Sequence, residues 1–549
     1  MSYLDRPRLY FSGSFKADPS TFNNDPKNFN MTSRGGQAPP INPDWNGGGS
    51  HFWQFHGCRV EAVAYLDGTT ADDPAKDPVL GCPILSTDSP APGKLVDLDT
   101  DNQGVSEIWG LNVQLGTDQD ANSFAGAFKV AAFDDLWFAR STTASGDSAA
   151  SAYYQSLLKK VQWGSSITSR FLKELKETSA EHLSIKFVAD GFQPDATNSR
   201  FTFGRVVGCI GPAFDGEPAH FVPARLLGPV GFQTATSPLP QNFAPCKVDG
   251  KRKTAIFDLG NCLQTSAPGG GMINLGNLQA AILVPNNPVL LGNVHYLEGQ
   301  YERTALIQEF PLTDAQLSQA ASNPLGVVQV DAATGNPTPI LQENSDGIYV
   351  RADQFVFRMN PGDKKEVHLT AMQYGAPKAG FEIDLALYPG AFPPNIGNNP
   401  AGALNFPSSV TTDQNGQASF TMSASDPGNP RGFIDGQVYA IRYTWNGNAQ
   451  EFSDPNDFVS VLVFDSYPQN ANPSWQDIAP ILTQYARLYP YMYSQVKLDE
   501  YAIVSSNATA MIGVLSMSEH DPRYMPVTRD LSRDKKNLLL TWLKSLTDS

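Results

Sequence analysis

The spacing of apolar positions changes character three times along the chain. Up to about residue 125 the apolar runs are short and are cut by Gly, Pro, Asn and Asp. Arg8-Leu-Tyr-Phe-Ser-Gly13 reads as a strand ending in a turn. Asn46-Gly-Gly-Gly-Ser50 reads as a flexible loop entering the aromatic strand His51-Phe-Trp-Gln-Phe-His56. Between about 149 and 178 the period moves to three and four. Tyr153, Leu157, Leu158, Val161, Ile167, Phe171, Leu172 and Leu175 predict a helical insertion of one or two amphipathic helices. Strand patterns resume at 183–192 and 200–210 and continue in short segments to about 312.

Residues 345–465 predict one compact β-sandwich. Val367, Leu369 and Ala371 alternate with polar residues, as do Phe381, Ile383, Leu385 and Leu387, and then Ala418, Phe420 and Met422. Turn signals fall at Asn360-Pro-Gly362, Asn415-Gly416 and Asp426-Pro-Gly428. Thr412-Asp-Gln-Asn-Gly-Gln-Ala418 resembles a turn of bacterial immunoglobulin-like domains. From about 470 the period is helical again. Ser474 is placed to cap a helix whose inner face carries Trp475, Ile478, Leu482, Tyr485 and Tyr489. Ser532 is placed to cap a final helix with Leu538, Leu539, Trp542, Leu543 and Leu546 inward. The predicted fold class is mainly β (α+β), with sandwich or barrel-like domains, one of them immunoglobulin-like, and a C-terminal helical segment. The predicted organisation is a β-rich region 1–340 with its helical insertion, the sandwich 345–465, and the helical segment 470–549.

Composition narrows the class. Of 549 residues, 41% are hydrophobic and 11% aromatic, enough to fill a core and to exclude disorder. Charged residues are 17%, below the roughly 25% of average proteins, and 46 Gly with 42 Pro suit many turns. A coiled coil or helical bundle is excluded. The formal net charge of −16 comes with no basic patch, since the basic stretches 247–253 and 529–536 are short and mixed with acids, so no nucleic-acid partner is expected. The five cysteines, Cys58, Cys82, Cys209, Cys246 and Cys262, include no Cys-x-x-Cys, which excludes a zinc ribbon and covalent c-type haem. They read as buried thiols in a reducing compartment. Charges at Asp5, Arg6 and Arg8 and the lack of a following apolar core give no signal peptide, and no apolar run approaches bilayer length. A cytoplasmic location without a membrane partner is the expectation.

Candidate chemistry is sparse. His51 and His56 flank Trp53 and Phe55, but a separation of five places them on opposite faces of a strand, so aromatic core packing is the better reading. Asp97, Asp99 and Asp101 alternate as in a calcium loop. The sixth and twelfth positions are Asn102 and Ile108 instead of Gly and Glu, with Glu107 one step early, and an acidic turn between strands fits better. No Glu-x-x-His of a di-iron bundle, no P-loop and no Gly-x-Ser-x-Gly elbow occurs. Met525 before Pro526 superficially matches the haem-ligating methionine of a cytochrome c, but without Cys-x-x-Cys-His it reads as core.

An ordered set of motifs nevertheless resembles one family. Asp5-Arg-Pro-Arg-Leu-Tyr-Phe-Ser-Gly13 with Thr21-Phe-Asn-Asn-Asp25, Ser50-His-Phe-Trp53, Leu95-Val-Asp-Leu-Asp99 with Ser106-Glu-Ile-Trp-Gly110, Val206-Val-Gly208 with Pro223-Ala-Arg-Leu-Leu227, Tyr489-Pro-Tyr-Met492 and Tyr524-Met-Pro-Val-Thr-Arg-Asp-Leu-Ser532 follow one another along the chain. Together they resemble the N-terminal, non-ferritin region of the violacein- and rebeccamycin-pathway enzymes that couple two imines of indole-3-pyruvate, the chromopyrrolate-synthase type. Those enzymes continue into a ferritin-like region where the iron chemistry is expected. No residue here matches that region. The resemblance therefore implies a free-standing accessory or binding protein of aromatic secondary metabolism, non-catalytic on its own. It would work beside a separate ferritin-like or flavin oxidase partner and bind a small aromatic ligand, with no cofactor of its own. Two alternatives stand beside it. One is an oxidoreductase that couples tryptophan-derived imines with non-covalent haem or iron, for which His51, His56 and Trp53 are the catalytic candidates. The other is a carbohydrate- or protein-binding role for the immunoglobulin-like domain.

Overall fold

The computed structural model describes residues 2–18, 52–87, 91–99, 102–117, 120–230, 242–388, 400–432, 434–445 and 458–547. Among the described residues strands hold 41% and helices 16%, so the protein is mainly β. The first sheet is a barrel. Arg8–Asp18 pairs with Phe203–Pro212, which pairs with His182–Asp190 and then with Ser151–Trp163. The circuit continues through Phe124–Phe128, Asn112–Leu115 and Pro83–Ser86 to Phe52–Ala64. Phe52–Ala64 returns to Arg8–Asp18, and every pairing is antiparallel. Three more strands, Lys94–Asp99, Asn102–Trp109 and Ala131–Trp137, lead from Phe52–Ala64 round to Ser151–Trp163 and close a second lobe.

Alternation along the strands sorts side chains between the barrel interior and its outer face. Phe11, Phe15, Trp53, Phe55, Leu158, Ile185, Phe187 and Val206 share the interior core. Trp53 is 2% exposed, stacked near Phe15 and Phe187 with Phe55 edge-on at 5.0 Å. Tyr10, Val207 and Cys209 point outward, but they are covered by an eight-stranded sheet built from residues 225–342. Lys186 also points outward and is 0% exposed. Its ammonium is 3.0 Å from Asp258 Oδ1, and Asp258 also accepts the Tyr3 hydroxyl at 2.7 Å. Burying such charges costs heavily unless they are paired. Arg225–Glu343 is paired in the same way within the eight-stranded sheet, and Arg351–Asp134 at the joint between the sandwich and the barrel lobe.

The expected helical insertion is corrected by the structure. Ser151–Trp163 is a strand, and only Arg170–Thr178 is helical, capped by the Ser169 hydroxyl, which accepts from Leu172 N. The three- and four-residue spacing has a physical origin. The strand is covered on both faces, so Tyr153, Tyr154, Gln155 and Ser156 are all buried and no period of two appears. A register shift between Lys159 and Gln162, with Lys160 left-handed at φ 54°, brings Val161 and Leu158 to the same core although they are three apart. The short helix sends Phe171, Leu172 and Leu175 into the barrel core.

Residues 348–463 form an immunoglobulin-like sandwich of two five-stranded sheets. One carries Ile348–Ala352, Lys364–Gln373 and Gln417–Ala424, and the other Glu382–Leu387, Gln437–Thr444 and Val459–Val463. Val356–Met359 joins the second sheet by a parallel pairing with Val459–Val463. Val367, Leu369, Ala371, Phe420 and Met422 interdigitate with Ile383, Leu385, Tyr439 and Val461. In the turn at Asn415-Gly416, Asp413 Oδ1 accepts from Asn415 N and Gln417 N while Gly416 takes φ 72°. The back of the second sheet packs Val438, Ala440 and Leu462 on Leu98, Val105 and Ala132 of the second barrel lobe.

The C-terminal helices are Trp475–Leu488, Pro490–Gln495, Tyr501–Ser506, Ala508–Leu515 and Arg533–Thr547. Ser474 forms a capping box with Asp477, whose carboxylate accepts from Ser474 N at 2.7 Å. Leu538, Leu539, Trp542 and Leu543 are buried against Ile478 and Leu482. Ser532 departs from its expected capping role. Its carbonyl accepts Lys536 N, but its hydroxyl is buried with no hydrogen-bond partner among the described residues.

The barrel assignment makes Trp53 and His56 separable. Replacing Trp53 with Ala should lower the free energy of unfolding by about 3–5 kcal/mol, as for other buried aromatics. Replacing the outward-facing His56 with Ala should change it by no more than about 0.5 kcal/mol. Urea denaturation of the two variants checks this, and comparable losses would contradict the facing.

Candidate functional site

The residues singled out in the sequence do not converge. Trp53 lies in the barrel core, whereas His56 is exposed on the other face of the same strand, its ring edge-on to Phe203 at 5.1 Å. His51 and Asp101 fall outside the described residues. Asp97 accepts the Ser106 hydroxyl, and Asp99 is buried 2.6 Å from Arg431. These two carboxylates thus tie a barrel hairpin to itself and to the sandwich. Among the described residues no group of three or more His, Cys, Asp or Glu could hold a metal ion. The five thiols are unbonded to one another. Burial pushes Cys58 and Cys209 up to about 12, which keeps them protonated and unreactive.

What the structure does bring together lies at the helical end, where a cavity of about 550 Å³ opens. Leu482, Tyr485 and Tyr489 line it from the first C-terminal helix, and Ala510, Met511, Val514 and Leu515 from Ala508–Leu515. Met525, Pro526, Val527, Thr528 and Leu531 form a third wall, and Pro92 with Lys94 approach from the barrel lobe. The volume falls in the range of small-molecule sites, about 300–1,000 Å³. The walls are apolar with flexible methionines, which adapt to irregular ligands.

One end of the cavity is polar. The Tyr485 hydroxyl donates to Asp530 Oδ1 at 3.1 Å, and the Thr528 hydroxyl donates to the same oxygen at 2.5 Å. The Tyr485 and Tyr489 rings are stacked, 6.2 Å between centroids. Burial raises the Asp530 carboxyl above its ordinary range, against the opposing pull of those two hydrogen bonds. Burial, reinforced by the neighbouring Asp530 carboxylate, holds both phenols well above theirs, so they remain protonated hydrogen-bonding groups. No His, Cys or Glu stands among the described lining residues. The arrangement can bind and orient a small molecule.

A more polar groove of about 770 Å³ runs where barrel, sandwich and helices meet. Its ring of charge is largely neutralised by its own walls. The Trp109 ring lies between His520 at 5.3 Å and the Arg529 guanidinium at 4.7 Å, and Arg358 pairs with Glu107. His220 bridges the units, contacting Val130 O at 3.0 Å and Asp353 O at 2.9 Å. Its amide and that of Ala219 donate to Asp353 Oδ1. Burial alone would raise the Asp353 carboxyl, but these hydrogen bonds, the His220 charge and nearby Lys129 bring it down to about 2. The groove is a joint held by ion pairs and ring stacking.

The sequence reading found the inner helix face with Tyr485 and Tyr489 and the motif Tyr524–Ser532 as a stretch, but treated Met525 as core. The helical period identifies an inward face, and whether that face is fully packed or lines a void depends on the separation of the helices. Arg529 was visible only as part of the Tyr524–Ser532 motif and of a short basic stretch, without a signal for its own role. It takes a left-handed conformation, φ 51°, that turns its guanidinium from the cavity segment onto Trp109.

No protein-family model matches the chain, and no curated protein matches it. Among solved structures it is similar to the D00-D0 domain of Intimin, with 11% identity over 34% of this chain and 78% of that one, at a TM-score of 0.15. It is likewise similar to domains 4 and 5 of the S-layer protein SbsC, with 11% identity over 38% and 82% of the two chains and a TM-score of 0.15. Overlaps this small carry no functional argument, and the immunoglobulin-like fold rests on the strands described above. Among the described residues no helix is long and apolar enough to cross a membrane.

Asp353 allows a test of the joint. Its folded pKa lies below the ordinary value of about 3.9, so its stabilisation is complete above about pH 4 and is lost as pH falls through about 2. Asp353→Asn should cost about 1–3 kcal/mol at pH 7. The gap from the parent should narrow steadily below pH 4 in denaturation series, and a gap independent of pH would contradict the assignment.

Proposed function

We propose that this chain is a β-rich accessory binding protein that holds a small aromatic ligand in the cavity at its helical end. The observation that carries the reading is the cavity itself: ligand-sized, walled mainly by apolar and aromatic side chains, with a few polar groups among them. The barrel and sandwich supply a rigid frame, and the lining supplies adaptable contact. The placement in aromatic secondary metabolism, beside a separate ferritin-like or flavin oxidase that would carry out the redox step, follows from the motif resemblance. Two of its motifs, Tyr489-Pro-Tyr-Met492 and Tyr524–Ser532, contribute cavity walls through Tyr489, Met492, Met525, Thr528 and Leu531.

Ligands of roughly a dozen heavy atoms in such a site bind with dissociation constants of about 1–100 µM. Titration calorimetry with indole should give saturable one-to-one binding in that range. Ala510→Trp, which places a large ring into the cavity from a helix position with solvent on one side, should weaken binding at least tenfold while leaving the far-ultraviolet circular dichroism unchanged. Binding unaffected by Ala510→Trp, or no binding of fused-ring aromatics at all, would overturn the proposal.

A further inference from the structure

We infer that the groove where barrel, sandwich and helices meet holds a doubly charged oxyanion, a phosphate group, between Lys129 and Lys159 on the outer face of the barrel. This is a second place on the molecule. The groove shares no described lining residue with the helical cavity, so the two readings stand or fall separately.

Strand register brings the two lysines together. Phe128 stands opposite Leu158 on neighbouring strands, and both side chains lie in the barrel core. Alternation turns the residues on either side outward. Ala127 therefore stands beside Lys159 on the outer face. Lys129, whose amide donates to Leu157 O at 2.8 Å, comes one diagonal step from Lys159 on the same face. Diagonal neighbours are rooted about 7–8 Å apart, so two flexible four-carbon stems can close on one tetrahedral group. Ala127, Lys129 and Lys159 all line the groove, and Asn112 is level with Ala127 on the next strand. The small, exposed Ala127 leaves the space between them open.

The carboxylates of the groove are engaged elsewhere. Glu107 pairs with Arg358, Glu366 accepts the Ser419 hydroxyl at 2.7 Å, and Glu519 lies 4.0 Å from Lys536. Asp353 accepts the amides of Ala219 and His220. Lys365, the third lysine of the lining, is exposed on the sandwich wall. Lys129 and Lys159 are half-buried, and among the described residues neither ammonium makes a hydrogen bond or an ion pair. Burial lowers the Lys129 ammonium from its ordinary value; the Asp353 charge opposes this and the Lys159 charge adds to it. An anion between the two offsets both their mutual repulsion and the cost of their burial. A dianion matches the pair, whereas a single carboxylate leaves one charge over. At about 770 Å³ the groove has room for the remainder of a small phosphorylated molecule.

Titration calorimetry of the full chain at pH 7.5 tests this with inorganic phosphate, largely the dianion there, and with acetate at matched ionic strength. Phosphate should bind one-to-one with a dissociation constant below about 1 mM, and at least about tenfold tighter than acetate. Lys129→Met with Lys159→Met, which keeps the apolar stems, should weaken phosphate binding at least about tenfold. Lys173→Met removes a charge from an exposed position on the short helix Arg170–Thr178 and should change phosphate affinity less than about twofold. The preference for phosphate over acetate is read on the unaltered protein and decides the matter even where the double variant folds poorly. No saturable phosphate binding, acetate bound as tightly as phosphate, or phosphate affinity that survives the double substitution would overturn the inference. An equal loss in Lys173→Met would overturn it as well, since it would mark an effect of overall charge.

Discussion

The closure of the first strand onto two partners is the constraint on which the rest of the molecule depends. Arg8–Asp18 pairs along one edge with Phe203–Pro212 and along the other with Phe52–Ala64, so strands nearly two hundred residues apart meet at one seam. Closure removes the exposed edges that would otherwise invite pairing with other chains. It also demands very close backbone approach. A Cβ at Gly13 would stand 2.5 Å from Cys58 Cα, and at Gly208 it would meet Lys186 O and the Phe11 ring below 3 Å. Those two glycines are therefore part of the seam. Once closed, the barrel offers an inner face for the Trp53 cluster and an outer face on which the second sheet and the sandwich can pack.

From that seam the order of the structure runs outward to the site. Outer-face residues that would be polar on a free barrel are buried and must be paired, which explains Lys186 with Asp258 and Arg351 with Asp134 at the joints between layers. The second lobe carries Leu98 and Val105 onto the sandwich and Trp109 toward the helices. The segment Tyr524–Ser532 then serves two faces at once: Met525, Thr528 and Leu531 wall the cavity, while Arg529 stacks on Trp109. The cavity thus stands on a fixed base and is closed by short helices, an arrangement suited to admitting a small ligand without disturbing the frame.

Much of this was legible in the sequence because one face of each element is wet. The sandwich strands around Val367 and Phe420 alternate cleanly, since their outer face meets solvent, and the helix carrying Ile478, Leu482 and Tyr485 shows its period for the same reason. Ser151–Trp163 was read as helix because it is covered on both sides and carries an extra residue at Lys160, two conditions that erase alternation and mimic a longer period. Trp53 lies in the barrel core, in keeping with the aromatic packing expected of its strand; the odd spacing weighed in the sequence was that between His51 and His56. Ring closure and the joints between layers were not legible, because they depend on contacts between residues far apart in the chain, and the cavity was not, because it depends on how far apart the helices of 482–539 stand and on the approach of Pro92 and Lys94.

The central claim is that the helical cavity is where a ligand sits, and the methionines report on it directly. Of ten methionines in the chain, Met492, Met511 and Met525 line the cavity, whereas Met359, Met372 and Met422 lie buried in the sandwich. With methyl-labelled methionine, a nuclear magnetic resonance titration with indole should shift the first three signals together along one saturation curve and leave the sandwich methionines in place. Saturable binding that left Met492, Met511 and Met525 unmoved, or no saturable response from any methionine, would contradict the claim.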